Sequence, residues 1–210
     1  MIRTFRILAL FCAFLPLLAA HAAPQVDVEY KLIKPAQPVM GKNVEVIEFF
    51  AYACPHCAEF EPALQSWLKR KPKDVDYRPV PMIFRAEWKP GAKLYYTLET
   101  MGVVEKYHQK IYDASHKQGK QLTSDEAVKD WAKSAGVDSA KFNEVYDSFA
   151  VDTKVQRAIT IGRSYGVQFT PSLAVNGKYY TGPSMAGGND YAKFFGVLDQ
   201  LIDMERHGAK

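Results

Sequence analysis

The chain has 210 residues, 48% hydrophobic and 24% charged, with 27 Lys and Arg against 23 Asp and Glu and a formal net charge of +4. No basic stripe stands out in so even a balance, which argues against a nucleic-acid partner. The length and apolar share suffice to bury a core without covalent staples.

Arg3 and Arg6 precede an apolar run from Ile7 to Leu18 and the small-residue pattern Ala20-His21-Ala22, which predicts a secretory signal peptide over residues 1–22, cut after Ala22. The run is too short for a membrane span, and no later segment offers about 20 uninterrupted apolar residues. A soluble mature chain is therefore expected. Removing the signal leaves 188 residues with 25 basic and 23 acidic side chains, a net charge of +2, and takes away Cys12. The two surviving cysteines both lie in Cys54-Pro55-His56-Cys57. One close pair does not make a disulfide-stapled scaffold, so it is free for chemistry.

Val44 to Tyr52 reads as a strand covered on both faces, running into Cys54 and then an amphipathic stretch with Phe60, Leu64, Trp67 and Leu68 at helical spacing. Val75 to Met82 alternates as a second strand, so the three pieces form a β-α-β unit with a parallel strand pair. From about Trp88 to Tyr165 the period is helical. Leu94, Tyr95, Leu98 and Met101 form one repeat, and Thr123 with Glu126 predicts a capping box ahead of Val128, Trp131 and Ala135, stopped at Gly136. Ser139 is the expected cap of a helix bearing Phe142, Val145, Tyr146 and Phe149, and Val155, Ile159 and Gly162 predict another ending before Gly166. Leu173 to Val175 and Tyr179 to Thr181 then flank Asn176-Gly177, which predicts a hairpin with a tight turn of positive φ. Asn189 or Asp190 can cap a last helix with Tyr191, Phe194, Phe195, Leu198, Leu201 and Ile202 on one face.

With Cys54 at the N-cap and Pro55 at the first helical position, where a missing N–H costs nothing, the helix begins at the motif itself. The Cys54 sulfur then lies over free backbone N–H groups and the positive end of the helix dipole, which favour a thiolate, and a protonated His56 would add to the effect. Cys54 is the expected nucleophile. Cys57, one turn further, is more shielded and can close an intramolecular disulfide. Two lesser readings stay open: half of a zinc site, for which no second C-x-x-C exists, and a merely structural disulfide, whose short loop would constrain the unfolded chain little. Glu48 shares strand parity with Val44, Val46 and Phe50. It reads either as a buried carboxyl able to relay the proton that Cys57 exchanges, or as a strand-end carboxylate reaching solvent. His108, His116 and His207 have no partners at ligand spacing and read as surface residues.

Glu48-Phe49-Phe50 leading into Cys54-Pro55-His56-Cys57, the later Gly166-Val167-Gln168-Phe169-Thr170-Pro171, and Asn176-Gly177-Lys178-Tyr179 together resemble the DsbA family of periplasmic disulfide oxidases. The resemblance spans the mature chain. It implies an α/β, thioredoxin-like fold with an inserted helical domain: residues 23–86 and 160–210 in the first, 87–159 in the second. It also implies that Thr170-Pro171 is a cis-proline loop that faces the cysteines and binds substrate backbone. Pro55, His56 and Glu48 would tune the site, with a basic residue on the neighbouring strand beside Glu48, for which Arg78 is the nearest match.

The implied activity is donation of the Cys54–Cys57 disulfide to newly secreted unfolded proteins in the periplasm, with reoxidation by a DsbB-like membrane quinone reductase and no tightly bound cofactor or metal. Only about twenty residues lie between the cleavage site and the first core strand, too few for a dimerisation domain, so a monomer is expected. An isomerase or reductase shares the motif and is the competing enzyme reading. A peptide-binding chaperone with incidental thiols is the competing reading outside enzymes.

Overall fold

The computed structural model describes residues 23–208, so the expected signal peptide lies outside the described residues. Strand β2 (Val44–Phe50) is buried along nearly its whole length, as its run of Val, Ile and Phe requires. Val44 and Val46 point to one side, toward α1 (Pro55–Arg70) and α7 (Tyr191–Gly208), while Ile47 and Phe49 point toward a layer of further helices. β2 pairs in parallel with β3 (Val75–Pro81), α1 being the crossover, so the expected β-α-β unit is present. β2 pairs antiparallel with β4 (Ser172–Val175), β4 with β5 (Tyr179–Thr181), and β5 with β1 (Lys31–Leu32), giving the order β1-β5-β4-β2-β3.

Between β3 and β4 the chain forms α2 (Lys89–Thr100), α3 (Val104–Tyr112), α4 (Asp125–Ser134), α5 (Ser139–Tyr146) and α6 (Phe149–Ser164). This is a thioredoxin-like α/β fold with helices inserted into it. The expected division at residues 159 and 160 falls inside α6, which runs unbroken through both positions. No described helix is long and apolar enough to cross a membrane.

Several local expectations shift by a residue. Ser124, not Thr123, caps α4, its hydroxyl accepting the Ala127 N–H at 3.2 Å. Asp138, not Ser139, caps α5 by accepting the Lys141 N–H at 3.1 Å. Both caps are short oxygen-bearing side chains beside another of the same kind, and sequence alone does not choose between neighbours. Phe149 does not extend the face of α5. It opens α6 and stands 87% exposed. α3 and the single π-helical turn after it, Asp113–Lys117, are additions, as is β1.

The hairpin forms as its residues demand: Asn176 and Gly177 take φ of 49° and 66°, and the Lys178 N–H closes the turn on the Val175 carbonyl at 3.0 Å. Asp190 caps α7 through the Lys193 N–H at 3.0 Å. α1 and α7 are joined by aromatic packing, Phe60 on Phe195 at 5.5 Å and Trp67 on the same ring at 5.8 Å, and the Trp67 indole donates to Asp199 at 2.7 Å. This packing fixes the axis of α1, and with it the cysteines at its start. Phe60 is fully buried, so Phe60→Ala is expected to lower the unfolding free energy by about 3–5 kcal/mol in denaturant titrations.

Candidate active site

α1 begins where the sequence places it. Cys54 is the N-cap, with extended backbone at φ −88° and ψ 115°, Pro55 follows in the first turn, and no acidic side chain occupies that turn to compete for its N–H groups. The Ala58 N–H makes the first helical bond to the Cys54 carbonyl at 3.3 Å, so the amides of Pro55's successors in the turn face the sulfur rather than a backbone partner.

Both cysteines are free thiols, and both are buried, Cys54 at 6% exposure and Cys57 at 1%. Their ionisations are driven in opposite directions. Cys54 is drawn down from 9.0 to about 6, first by a hydrogen bond from the Cys57 thiol, against the opposing effect of burial, and then by Thr170 and the backbone N–H groups of Cys57 and His56. Burial pushes the Cys57 thiol well above its ordinary range, and the neighbouring Cys54 and Glu48 charges add to this. The His56 ring is exposed and turns to Glu59 at 3.2 Å, so its influence on Cys54 comes through its backbone.

The loop opposite completes the site. Thr170-Pro171 is a cis peptide at the start of β4, and the Cys54 thiol donates to the Thr170 carbonyl at 3.4 Å. Thr170 and Pro171, over a hundred positions away in sequence, thus lie against the N-terminus of α1.

Glu48 is 1% exposed, which settles its alternatives in favour of burial. Burial and the charge of Glu61 push its carboxyl up to about 8, and a hydrogen bond donated by the Tyr77 hydroxyl pulls the other way. Arg78 is not its partner. The parallel register sets Glu48 opposite Pro79 and Ile47 opposite Arg78, so Arg78 emerges on the other face of the sheet and binds Glu45 at 3.1 and 3.2 Å. Tyr77 occupies the position expected of a cation, giving Glu48 a neutral donor in place of a positive charge.

One of the histidines, His108, is not a surface residue, whereas His116 is exposed as expected. The His108 side chain is 14% exposed; its Nδ1 lies 2.8 Å from the Tyr52 hydroxyl and its Nε2 3.5 Å from the Glu61 carboxylate. His116 Nε2 donates to the Tyr52 carbonyl at 2.7 Å and lines a cleft of about 240 Å³ beside Ala53 and Pro55. His207, at the end of α7, is exposed as expected. Glu61 could have been singled out from sequence, because it stands one turn beyond Cys57 on the same helix. His108 and Tyr77 carried no such local signal. Among the described residues no group of three or more His, Cys, Asp or Glu gathers in a way that could hold a metal ion.

Residues 45–197 match the family model described as DSBA-like thioredoxin domain. The chain is 44% identical to the thiol:disulfide interchange protein DsbA of Bordetella parapertussis over 95% of its length and 93% of that protein's. It is 39% identical to the protein of the same name from Pseudomonas syringae pv. tomato, over 96% of this chain and 95% of the relative. The crystal structure of Pseudomonas aeruginosa DsbA superposes with a TM-score of 0.83 at 34% identity, covering 89% of this chain and 96% of that one.

Because the hydrogen bond from Cys57 is the largest influence lowering Cys54, Cys57→Ala is expected to raise the Cys54 ionisation midpoint from about 6 toward 9.0. Thiolate absorbance of the reduced protein followed against pH measures this directly. An unmoved midpoint would assign the low value to Thr170 and the helix N–H groups.

Proposed function

Since the chain belongs to the DSBA-like thioredoxin family and is a protein disulfide oxidoreductase, we propose that it acts in the periplasm by donating a Cys54–Cys57 disulfide to newly secreted unfolded proteins. The observation that carries this reading is the opposed ionisation of two thiols one helical turn apart, Cys54 drawn down and Cys57 pushed up. A substrate thiolate attacks the Cys54 sulfur of the oxidised protein, the Cys54–Cys57 bond breaks, and Cys57 leaves with the electron pair and takes up a proton. A second substrate thiolate then attacks the substrate sulfur bonded to Cys54, that bond breaks, and Cys54 leaves as a thiolate. The substrate gains a disulfide and the protein holds the two electrons. A stabilised Cys54 thiolate is a good leaving group, which drives the exchange toward oxidised substrate.

The pattern of Arg3, Arg6, the apolar run and Ala20-His21-Ala22 supports export with removal of residues 1–22. Residues 23–86 and 160–210 form the unit that carries the exchange, and 87–159 the inserted helical domain. Thr170 and Pro171 offer backbone to a substrate strand beside Cys54, with Pro55, His56 and Glu48 tuning the pair. Reoxidation falls to a DsbB-like membrane quinone reductase, and the protein works as a monomer without a bound cofactor.

Cys57→Ser is expected to accumulate mixed disulfides through Cys54 with reduced unfolded substrates, and Cys54→Ser to be nearly inert, as read by mass mapping of trapped adducts. Efficient unscrambling of wrongly paired ribonuclease by a stable dimer would replace the oxidase reading with an isomerase.

The same ionisations make the relative stability of the two redox forms depend on pH. The folded Cys54 value near 6 lies below an unfolded value of about 8.5, so its contribution to the reduced fold is complete above 8.5 and is lost as pH falls through 6. Cys57, held high, acts oppositely once the unfolded thiol begins to ionise near 8.5. Measured by denaturant unfolding, the stability of the reduced form relative to the oxidised one should therefore rise by about 2–3 kcal/mol from pH 5 to pH 8.5 and fall again above it. That rise exceeds the roughly 2 kcal/mol expected from closing so short a disulfide loop. A flat difference across the range would refute a stabilised thiolate.

A further inference from the structure

Behind the cysteines lies a second group of buried ionisable side chains that the exchange scheme leaves without a role. Glu61 is 2% exposed and stands one turn beyond Cys57 on α1. Besides the Gln65 amide, which donates to it at 2.8 Å, its polar neighbour is the His108 ring on α3 at 3.5 Å. The other ring nitrogen of His108 lies 2.8 Å from the Tyr52 hydroxyl. Phe50, Tyr95 and Tyr112 close round the ring with centroids 5.3 to 6.3 Å away, so it is packed in a fixed orientation. A buried carboxylate is tolerable when a basic group faces it, and His108 is the one basic side chain among the described residues within ion-pair distance of Glu61.

We propose that His108 is a positioning residue for disulfide exchange: paired with Glu61 and held by Tyr52, its ring balances the buried negative charge behind the active site and so sets the pH at which Cys57 gives up its proton. The inference rests on the assignment of Cys57 as the resolving thiol. The coupling runs through neighbours already described. Glu61 stands one turn from Cys57 on α1 and also raises Glu48, so an unbalanced Glu61 carboxylate adds negative charge beside the thiol itself and makes it hold its proton to higher pH. The groups facing the ring are Glu61 from α1, Tyr52 from the loop after β2, Tyr95 from α2 and Tyr112 from α3, with Glu48 beyond Glu61 and His116 on the far side of Tyr52.

The test isolates the step in which Cys57 acts. With glutathione joined to Cys54, the Cys57 thiolate attacks the Cys54 sulfur, the Cys54–glutathione bond breaks, and glutathione leaves as a thiolate that takes a proton. Its release is followed from about pH 5 to 11 in the full chain, reaching beyond the ordinary Cys range because Cys57 is held above it. His108→Gln is expected to move the midpoint up by about one unit, which slows closure about tenfold on the acid side. His108→Phe, shaped to fit the aromatic surround, should do the same and replaces the Gln variant if that one fails to fold. Glu61→Gln should move the midpoint down, and adding His108→Gln to it should have little further effect. Iodoacetamide alkylation of Cys54 should keep its own pH profile in all of them. A midpoint that is unchanged or lowered in the folded His108 variants overturns the proposal and leaves the ring a packing element. Failure of the wild-type mixed disulfide to close at any pH would overturn the Cys57 assignment instead.

Discussion

The chemistry of this fold depends on a difference between two sulfurs in one helical turn. Cys54 sits where α1 has N–H groups to spare and a positive dipole end, and Cys57 sits in the same turn but on the side where solvent is gone. The spacing lets the Cys57 thiol donate to Cys54, the largest influence on that sulfur, and the position of the helix start leaves one sulfur at the free N–H groups and buries the other. Much of the remaining architecture serves to hold that start in place. The aromatic stack of Phe60, Trp67 and Phe195 fixes the helix axis against α7, and Thr170-Pro171 closes over the sulfur from β4.

The environment beneath the cysteines works against ionisation. Glu48, Glu61, Tyr52, Tyr77 and Tyr112 crowd a region in which burial dominates every displaced ionisation, and each of them is pushed away from its anionic form or pushes a neighbour away. For Glu48 the thermodynamic consequence has a definite sign. The unfolded chain releases this proton near 4.5 while the folded chain keeps it to about 8, so the unfolded state binds fewer protons in that window and stability falls as pH rises through it. The fold thus gives up stability to keep a protonated carboxyl beside Cys57. Tyr77 suits that arrangement: an arginine or lysine in its place would hold Glu48 ionised, whereas a phenol can donate to either form.

How much of this was legible follows from the range of the interactions involved. β2, α1 and the turn at Asn176-Gly177 are set by alternation, by Pro55 and by two residues that tolerate positive φ, all local properties, and they stand where the sequence puts them. The Cys54 helix start was legible for the same reason. Arg78 was misread because a parallel register cannot be deduced from either strand alone. Glu48 lies opposite Pro79, so Tyr77 shares its face and Arg78 does not, and a slip of one residue reverses every such inference. His108 was misread because its surroundings come from three separate segments. Only the docking of α3 against the loop after β2 turns a helix-surface histidine into a half-enclosed one.

That docking gives the inserted helices a part in the exchange site beyond covering the sheet. Tyr52 precedes Cys54 by two residues, and its hydroxyl and carbonyl are held by the helical layer, the first by His108 and the second by His116 in the π-helical turn. A π turn widens the backbone by one residue and re-aims the side chain that follows, and here it brings His116 onto a carbonyl that has no strand partner. The segment leading into the nucleophile is therefore anchored from across the layer boundary, at both ends of one residue. A helical layer that merely packed on Ile47, Phe49 and Val80 would cover the core equally well and leave Tyr52 free to move. Two histidines directed at one residue beside the cysteines tie the geometry of the α1 start to the seating of the helices above it.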